Sequence, residues 1–143
     1  MLEIRGELWD YYKVDGHTIC LTVNGTIKAN GAAVMGRGCA LEATNRFNDI
    51  GKVWGKRLKD YGLKFMYLHE FDLFMFPVKY NWWERASFEL IKESAVALKK
   101  AAETQPFIFL PRPGCGNGKL EWRDVKAILE EVGLPDNIWV ISR

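Results

Sequence analysis

Cysteine is scarce in this chain of 143 residues: it has only Cys20, Cys39 and Cys115. Their number is odd and no CxxC spacing occurs, which argues against a disulfide framework or a thiolate metal site. Histidine is scarcer still. His17 and His69 stand apart in sequence and read as turn or surface residues, so neither residue type gives a reason to invoke a metal. Cys39 and Cys115 have no histidine near them in sequence, and they read as small packing residues rather than nucleophiles. Long apolar runs are also missing. Lys, Arg, Asp or Glu interrupts every candidate, leaving none that could span a bilayer. The segment Met1-Leu2-Glu3-Ile4-Arg5 lacks the apolar core of a signal peptide, so the expectation is a cytoplasmic protein with no membrane partner. Finally, no charge sign dominates. Twenty basic residues against eighteen acidic ones, a formal net charge of +2, make no nucleic-acid footprint by themselves. The cluster Lys52, Lys56, Arg57 and Lys59 reads as a solvated helix face, with weak nucleic-acid contact as the alternative.

What is present supports a packed core. Hydrophobic residues make up 48% and aromatics 13% of the chain, too many for a disordered segment. The length suits one domain over residues 1–143. Strands are expected near residues 2–8 and 18–24, at Phe65–Leu68, at Leu73–Phe76, from Pro106 to Leu110, and at Ile138–Ile141. Helices are expected from the first glycine loop to about Tyr61, from Arg85 to about Glu103, and over Val125, Ile128, Leu129 and Val132, stopped by Gly133 and Pro135. Alternating strands and helices imply an α/β fold with a largely parallel sheet between helix layers.

The most informative segment is Leu110-Pro111-Arg112-Pro113-Gly114-Cys115-Gly116-Asn117-Gly118-Lys119-Leu120-Glu121-Trp122. Three alternating glycines at a strand-to-helix junction let main-chain N–H groups approach an anion, and the helix start adds partial positive charge. A tight turn that merely needs glycine would look the same. A second loop, Val34-Met35-Gly36-Arg37-Gly38-Cys39-Ala40, also follows a strand and opens a helix. In an open α/β sheet such loops face one crevice at the strands' carboxyl ends, so the pair suggests a two-walled site for a diphosphate. No GKS or GKT gives a Walker A loop, and no full GxGxxG fingerprint occurs.

Together these motifs resemble the macro domain family, and the likeness spans most of the chain. Gly6-Glu7-Leu8 resembles the family's opening Gly-Asp-Leu, Asn24 matches an asparagine at the end of the next strand, and both glycine loops have counterparts. Phe76-Pro77-Val78-Lys79 and Leu120-Glu121-Trp122 resemble a lysine-dependent branch of glycohydrolases that clear ADP-ribose from protein carboxylates or, as antitoxins, from DNA. Gly118 stands where the protein-directed members carry an aspartate, and Gly-Asn-Gly at 116–118 resembles the antitoxin branch.

The resemblance implies a three-layer α/β/α fold with a mixed, largely parallel sheet. It also implies roles. Glu7 would accept a hydrogen bond from the adenine amino group, with Leu8 beside it. Asn24 would orient the distal ribose as a catalytic partner of Lys79, the nucleophile or acid–base group at the anomeric carbon. Met35, Gly36, Arg37, Gly38, Cys39 and Ala40 would line the distal ribose and one phosphate. Pro111, Gly114, Cys115, Gly116, Asn117 and Gly118 would wrap the pyrophosphate. Burial or a neighbouring cation such as Arg112 would lower the lysine's pKa.

No cofactor is implied. The expected partner is ADP-ribose or an ADP-ribosylated protein or nucleic acid, and the expected state a monomer. The expected activity is ADP-ribosyl hydrolysis or attack on ADP-ribose-1″-phosphate, with a non-catalytic ADP-ribose reader and a Rossmann-like nucleotide enzyme as alternatives. Residues Gly25 to Ala33 would form a lid or a surface insertion. Trp82 and Trp83 would wall the site, stack a nucleobase, or cover the core edge, and Trp9 would lie near adenine or in the core.

Overall fold

A computed structural model describes residues 1–143. The strands are β1 (Leu2–Arg5), β2 (His17–Asn24), β3 (Met66–Leu68), β4 (Leu73–Lys79), β5 (Phe107–Pro111) and β6 (Ile138–Ser142). The helices are α1 (Gly38–Arg46), α2 (Ile50–Tyr61), α3 (Phe88–Ala101) and α4 (Trp122–Val132), with a short 3₁₀ turn at Leu8–Tyr11. The six strands form one sheet in the order β1-β6-β5-β2-β4-β3. Every neighbouring pair is parallel except β3 with β4. The mixed, largely parallel α/β/α sandwich anticipated from the alternating elements is the fold observed.

Alternation along β2 explains the layers. Ile19, Leu21 and Val23 point to one face, where they join Ala43, Ile50, Trp54 and Leu58 of α1 and α2. Cys20 points to the other face, with Ile91, Ala95 and Leu98 of α3 and Val125 and Leu129 of α4. Both faces are covered, so β2 and β4 read as near-continuous apolar runs.

Three boundaries depart from the sequence expectation. The first strand stops at Arg5, and residues 8–11 turn back as 3₁₀ structure that buries Leu8 and Trp9. The single long helix expected to reach Tyr61 is two helices. Phe47 takes an extended conformation between them and drops its ring among Trp9, Tyr12 and Phe71, with centroids 6.4, 5.7 and 5.1 Å away. Asn48 and Asp49 follow, residue types whose side chains compete with helical hydrogen bonding. His17 opens β2 straight after a turn and is half-buried: its ring lies 5.0 Å from Phe109 and 6.0 Å from Tyr11, and its Nδ1 is buried without a partner.

Gly55 shows why α2 tolerates a weak helix former. A Cβ there would collide with the Gly31 carbonyl and stand 2.9 Å from the Ala33 nitrogen. The segment 25–33 is therefore seated against α2, with the Ala33 N–H donating to the Gly51 carbonyl at 2.8 Å. Gly55→Ala is expected to destabilise the fold by roughly 2–4 kcal/mol in denaturant unfolding, because the obstacle is backbone rather than a side chain that can swing away. An unchanged midpoint would mean the segment is not packed there.

Candidate functional site

Because β1, β6, β5, β2 and β4 are parallel, their carboxyl ends share one edge of the sheet. A cavity of about 970 Å³ opens along that edge. Gly6, Ser142, Pro111, Asn24 and Lys79, at or just past the five strand ends, all line it. Such a volume suits a ligand of dinucleotide size.

Both glycine loops face this one cavity, and they meet across it. Arg37 in the first loop donates from Nη1 to Oδ1 of Asn117 in the second at 3.4 Å. The glycines have different reasons to be there. Gly114, at a φ of +73°, and Gly118 are crowded: a Cβ on either would lie 2.7 Å from the Ala86 Cβ. Gly38, at a φ of +57°, opens α1 in a conformation L residues rarely adopt. Gly36 and Gly116 have neither positive φ nor any atom within 4 Å of where a Cβ would sit. Packing and conformation ask nothing of these two, and their missing side chains leave cavity space free.

Helix dipoles contribute from one loop only. α1 begins at Gly38 with no side-chain cap, so its first N–H groups at Gly38, Cys39 and Ala40 are on the cavity wall. The helix after the second loop was expected to do the same. It starts at Trp122, beyond the lining residues, because Lys119 and Leu120 turn the chain away first, with the Leu120 N–H bonded to the Gly114 carbonyl at 2.9 Å.

Lys79 and Asn24 are brought opposite each other by an irregularity. Val23 pairs with Pro77, but Asn24 pairs with Lys79, so Val78 is skipped. Proline has no N–H to continue a ladder, and a bulge is where a strand accommodates it. Its effect is to pull the lysine one residue closer to the asparagine. The Pro77 and Val78 carbonyls are occupied instead by the Ser94 hydroxyl and the Ser87 N–H, both at 2.8 Å. Asn24 is held at both ends of its amide: Nδ2 donates to the Val34 carbonyl at 3.0 Å and Oδ1 accepts from the Thr26 N–H at 2.9 Å. One hydrogen and one lone pair of that amide remain for a ligand.

The Lys79 amine donates to the Trp82 carbonyl at 3.3 Å. Burial holds its pKa below the usual lysine value, and the charges of Arg37 and Lys119 lower it further. Arg112, the cation expected to do this, is instead engaged elsewhere. Its guanidinium lies 4.9 Å over the Trp122 ring and 3.7 Å from Glu3. The thiols on the cavity wall are poor nucleophiles: burial pushes Cys39 up, and Cys115 up to about 11.

At the far end, Gly6, Leu8, Glu42, Ile141, Ser142 and Arg143 line the cavity. Glu7 does not. Its carboxylate accepts from the Arg143 Nε at 2.9 Å, and Arg143 lines the cavity there together with Glu42. All the other anticipated site residues lie on the wall: Leu8, Asn24, Met35, Gly36, Arg37, Gly38, Cys39, Ala40, Lys79, Pro111, Gly114, Cys115, Gly116, Asn117 and Gly118. Sequence reasoning missed Thr22, Glu42, Arg85, Lys119 and Arg143. Lys119 and Thr22 flank recognised motifs, whereas Glu42, Arg85 and Arg143 carry no local signal. Trp82 and Trp83, 50% and 64% exposed, wall the lysine end rather than cover the core. Trp9 is buried under Arg46, away from the cavity. No residue from 25 to 33 lines the cavity, and the segment packs on α2 rather than over the cavity mouth. No group of three His, Cys, Asp or Glu residues is close enough to hold a metal ion.

No protein-family model matches the sequence, and no curated protein matches it. Solved structures do. The macrodomain of Mycobacterium tuberculosis DarG is 25% identical with a TM-score of 0.74, over 98% of this chain and 96% of that one. The macrodomain of Thermus aquaticus DarG is also 25% identical, with a TM-score of 0.77 over 99% and 97%. Thermosipho africanus DarTG, solved in complex with ADP-ribose, is 21% identical and shares the fold, with a TM-score of 0.74 over 98% of this chain and 41% of that one. With its strand order, its paired glycine loops on one crevice and this likeness along its whole length, the chain has the macro-domain fold.

Proposed function

We propose that this cavity binds ADP-ribose and that the chain hydrolyses the bond joining ADP-ribose to a macromolecule or to a phosphate. The observation that carries the reading is a depressed lysine paired with a fixed asparagine at one end of a crevice walled by two main-chain cradles. The ADP-ribose in the related DarTG structure supports the ligand class. The first loop, with the start of α1, takes one phosphate and the distal ribose through Gly36, Gly38 and Ala40. The second, Gly114 to Gly118, takes the pyrophosphate through its N–H groups. Asn24 orients the ribose hydroxyls.

Lys79, as a neutral amine, attacks the anomeric carbon. The bond from that carbon to the acceptor breaks, its electron pair leaves with the acceptor, and the proton shed by the attacking nitrogen neutralises it. Water then displaces the lysine from the adduct, which releases ADP-ribose and restores the amine. Burial of Lys79 and the cations around it favour the neutral form that the first step requires.

A thermal-shift comparison of ADP-ribose, NAD, ATP and AMP tests the binding half. ADP-ribose is expected to raise the melting temperature most, since ligand stabilisation follows RT ln(1 + [L]/Kd). A larger shift with intact NAD would favour a nucleotide-dependent enzyme instead.

A further inference from the structure

The ligand end remote from Lys79 has an unusual construction. Arg143, just beyond β6, lines the cavity and is tied by Nε to Glu7 at 2.9 Å and by Nη2 to Glu42 at 2.7 Å. Exposed ion pairs of this kind contribute little to stability, so stability does not explain three charged groups converging at a cavity mouth. Hydrogen bonds to a guanidinium lie in its plane. Two carboxylates on its edges therefore fix its orientation and leave its flat faces unoccupied. The same end offers no aromatic side chain. Trp82 and Trp83 are the only aromatic residues lining the cavity, and both adjoin Lys79 on β4. Leu8 and Ile141 supply the aliphatic surface of this end, beside Gly6, Ser142 and Glu42. From β6 to β4 is three strand spacings, roughly 14 Å, a span that places a base at Arg143 when a distal sugar sits at Lys79.

Resting on the ADP-ribose reading, we propose that Arg143 grips the purine by laying a guanidinium face against the base, with Glu7 and Glu42 as the positioning residues that hold it. Recognition at this end is then by stacking, with Glu7 off the cavity wall and bonded through Oε2 to Arg143.

Calorimetric titration of the full chain with three probes tests this. Ribose 5-phosphate lacks the base, and etheno-ADP-ribose has its amino nitrogen closed into a ring. Arg143→Ala is expected to weaken ADP-ribose by about five- to thirtyfold, the range of a cation–aromatic contact, and to leave ribose 5-phosphate within about twofold. Arg143→Lys keeps the charge but not the flat face and is expected to lose nearly as much, which carries the test if the alanine variant folds poorly. The unsubstituted chain is expected to bind etheno-ADP-ribose within about threefold of ADP-ribose, because a stacked base needs no free amino group. Full binding by Arg143→Lys, or a tenfold or greater loss with the etheno probe, would overturn the stacking assignment. Failure of the unsubstituted chain to bind ADP-ribose at all would instead remove the reading beneath it.

Discussion

Lys79→Ala is expected to lower turnover of ADP-ribosylated protein, ADP-ribosylated DNA or ADP-ribose-1″-phosphate, whichever the wild-type chain cleaves, by roughly 10²- to 10⁴-fold. Affinity for ADP-ribose is expected to stay within a few-fold, because the glycine loops proposed to hold the diphosphate belong to other elements. A fall in kcat at constant Kd marks a group that acts in the transition state rather than in binding. The pH dependence has a definite sign. In the proposed mechanism Lys79 attacks only as the free amine, and its pKa is held below the usual lysine value by burial, Arg37 and Lys119. The rate should therefore climb as pH rises and level off earlier than an ordinary lysine would allow. Arg37→Ala should move that inflection upward, since it removes one of the two cations that disfavour the ammonium form. Unchanged turnover in Lys79→Ala would end the proposed role. A wild-type chain that binds ADP-ribose and cleaves none of the three substrates would be a reader.

The second large effect separates two kinds of glycine. Gly36→Leu is expected to weaken ADP-ribose by on the order of a hundredfold or more while shifting the melting temperature little, since its side chain would enter open cavity space rather than a packed wall. Gly114→Ala should do the reverse to the fold. Its Cβ would meet Ala86 at 2.7 Å and Ile91 at 3.0 Å in a conformation with φ of +73°. A destabilisation of about 2–4 kcal/mol is expected, visible as a drop of several degrees in melting temperature. If Gly36→Leu bound ADP-ribose normally, the first loop would not be a wall of the ligand site.

The motif residues were legible in the sequence because backbone-defined sites need local patterns. Glycines at fixed offsets after apolar strands announce Gly36 to Ala40 and Gly114 to Gly118, whereas Asn24 and Lys79 stood out only through the resemblance of their segments to the macro domain family. Periodicity was blind to the break at Phe47, since the apolar spacing continues through it while a tertiary aromatic cluster pulls the ring out of register. It was equally blind to the commitment of Glu7. A partner 136 residues away in sequence, Arg143, redirects that carboxylate, and no local window holds both. The misassigned cation near Lys79 has the same origin: Arg112 is adjacent to the loop, but Glu3 and Trp122 draw it aside.

The contact between Arg37 and Asn117 has a kinetic consequence. It joins the two glycine loops across the cavity through one exposed hydrogen bond of 3.4 Å, long for an N–H···O contact. Both partners are exposed side chains, so the contact opens by rotation of either one, and the two loops part without any larger rearrangement of the sandwich.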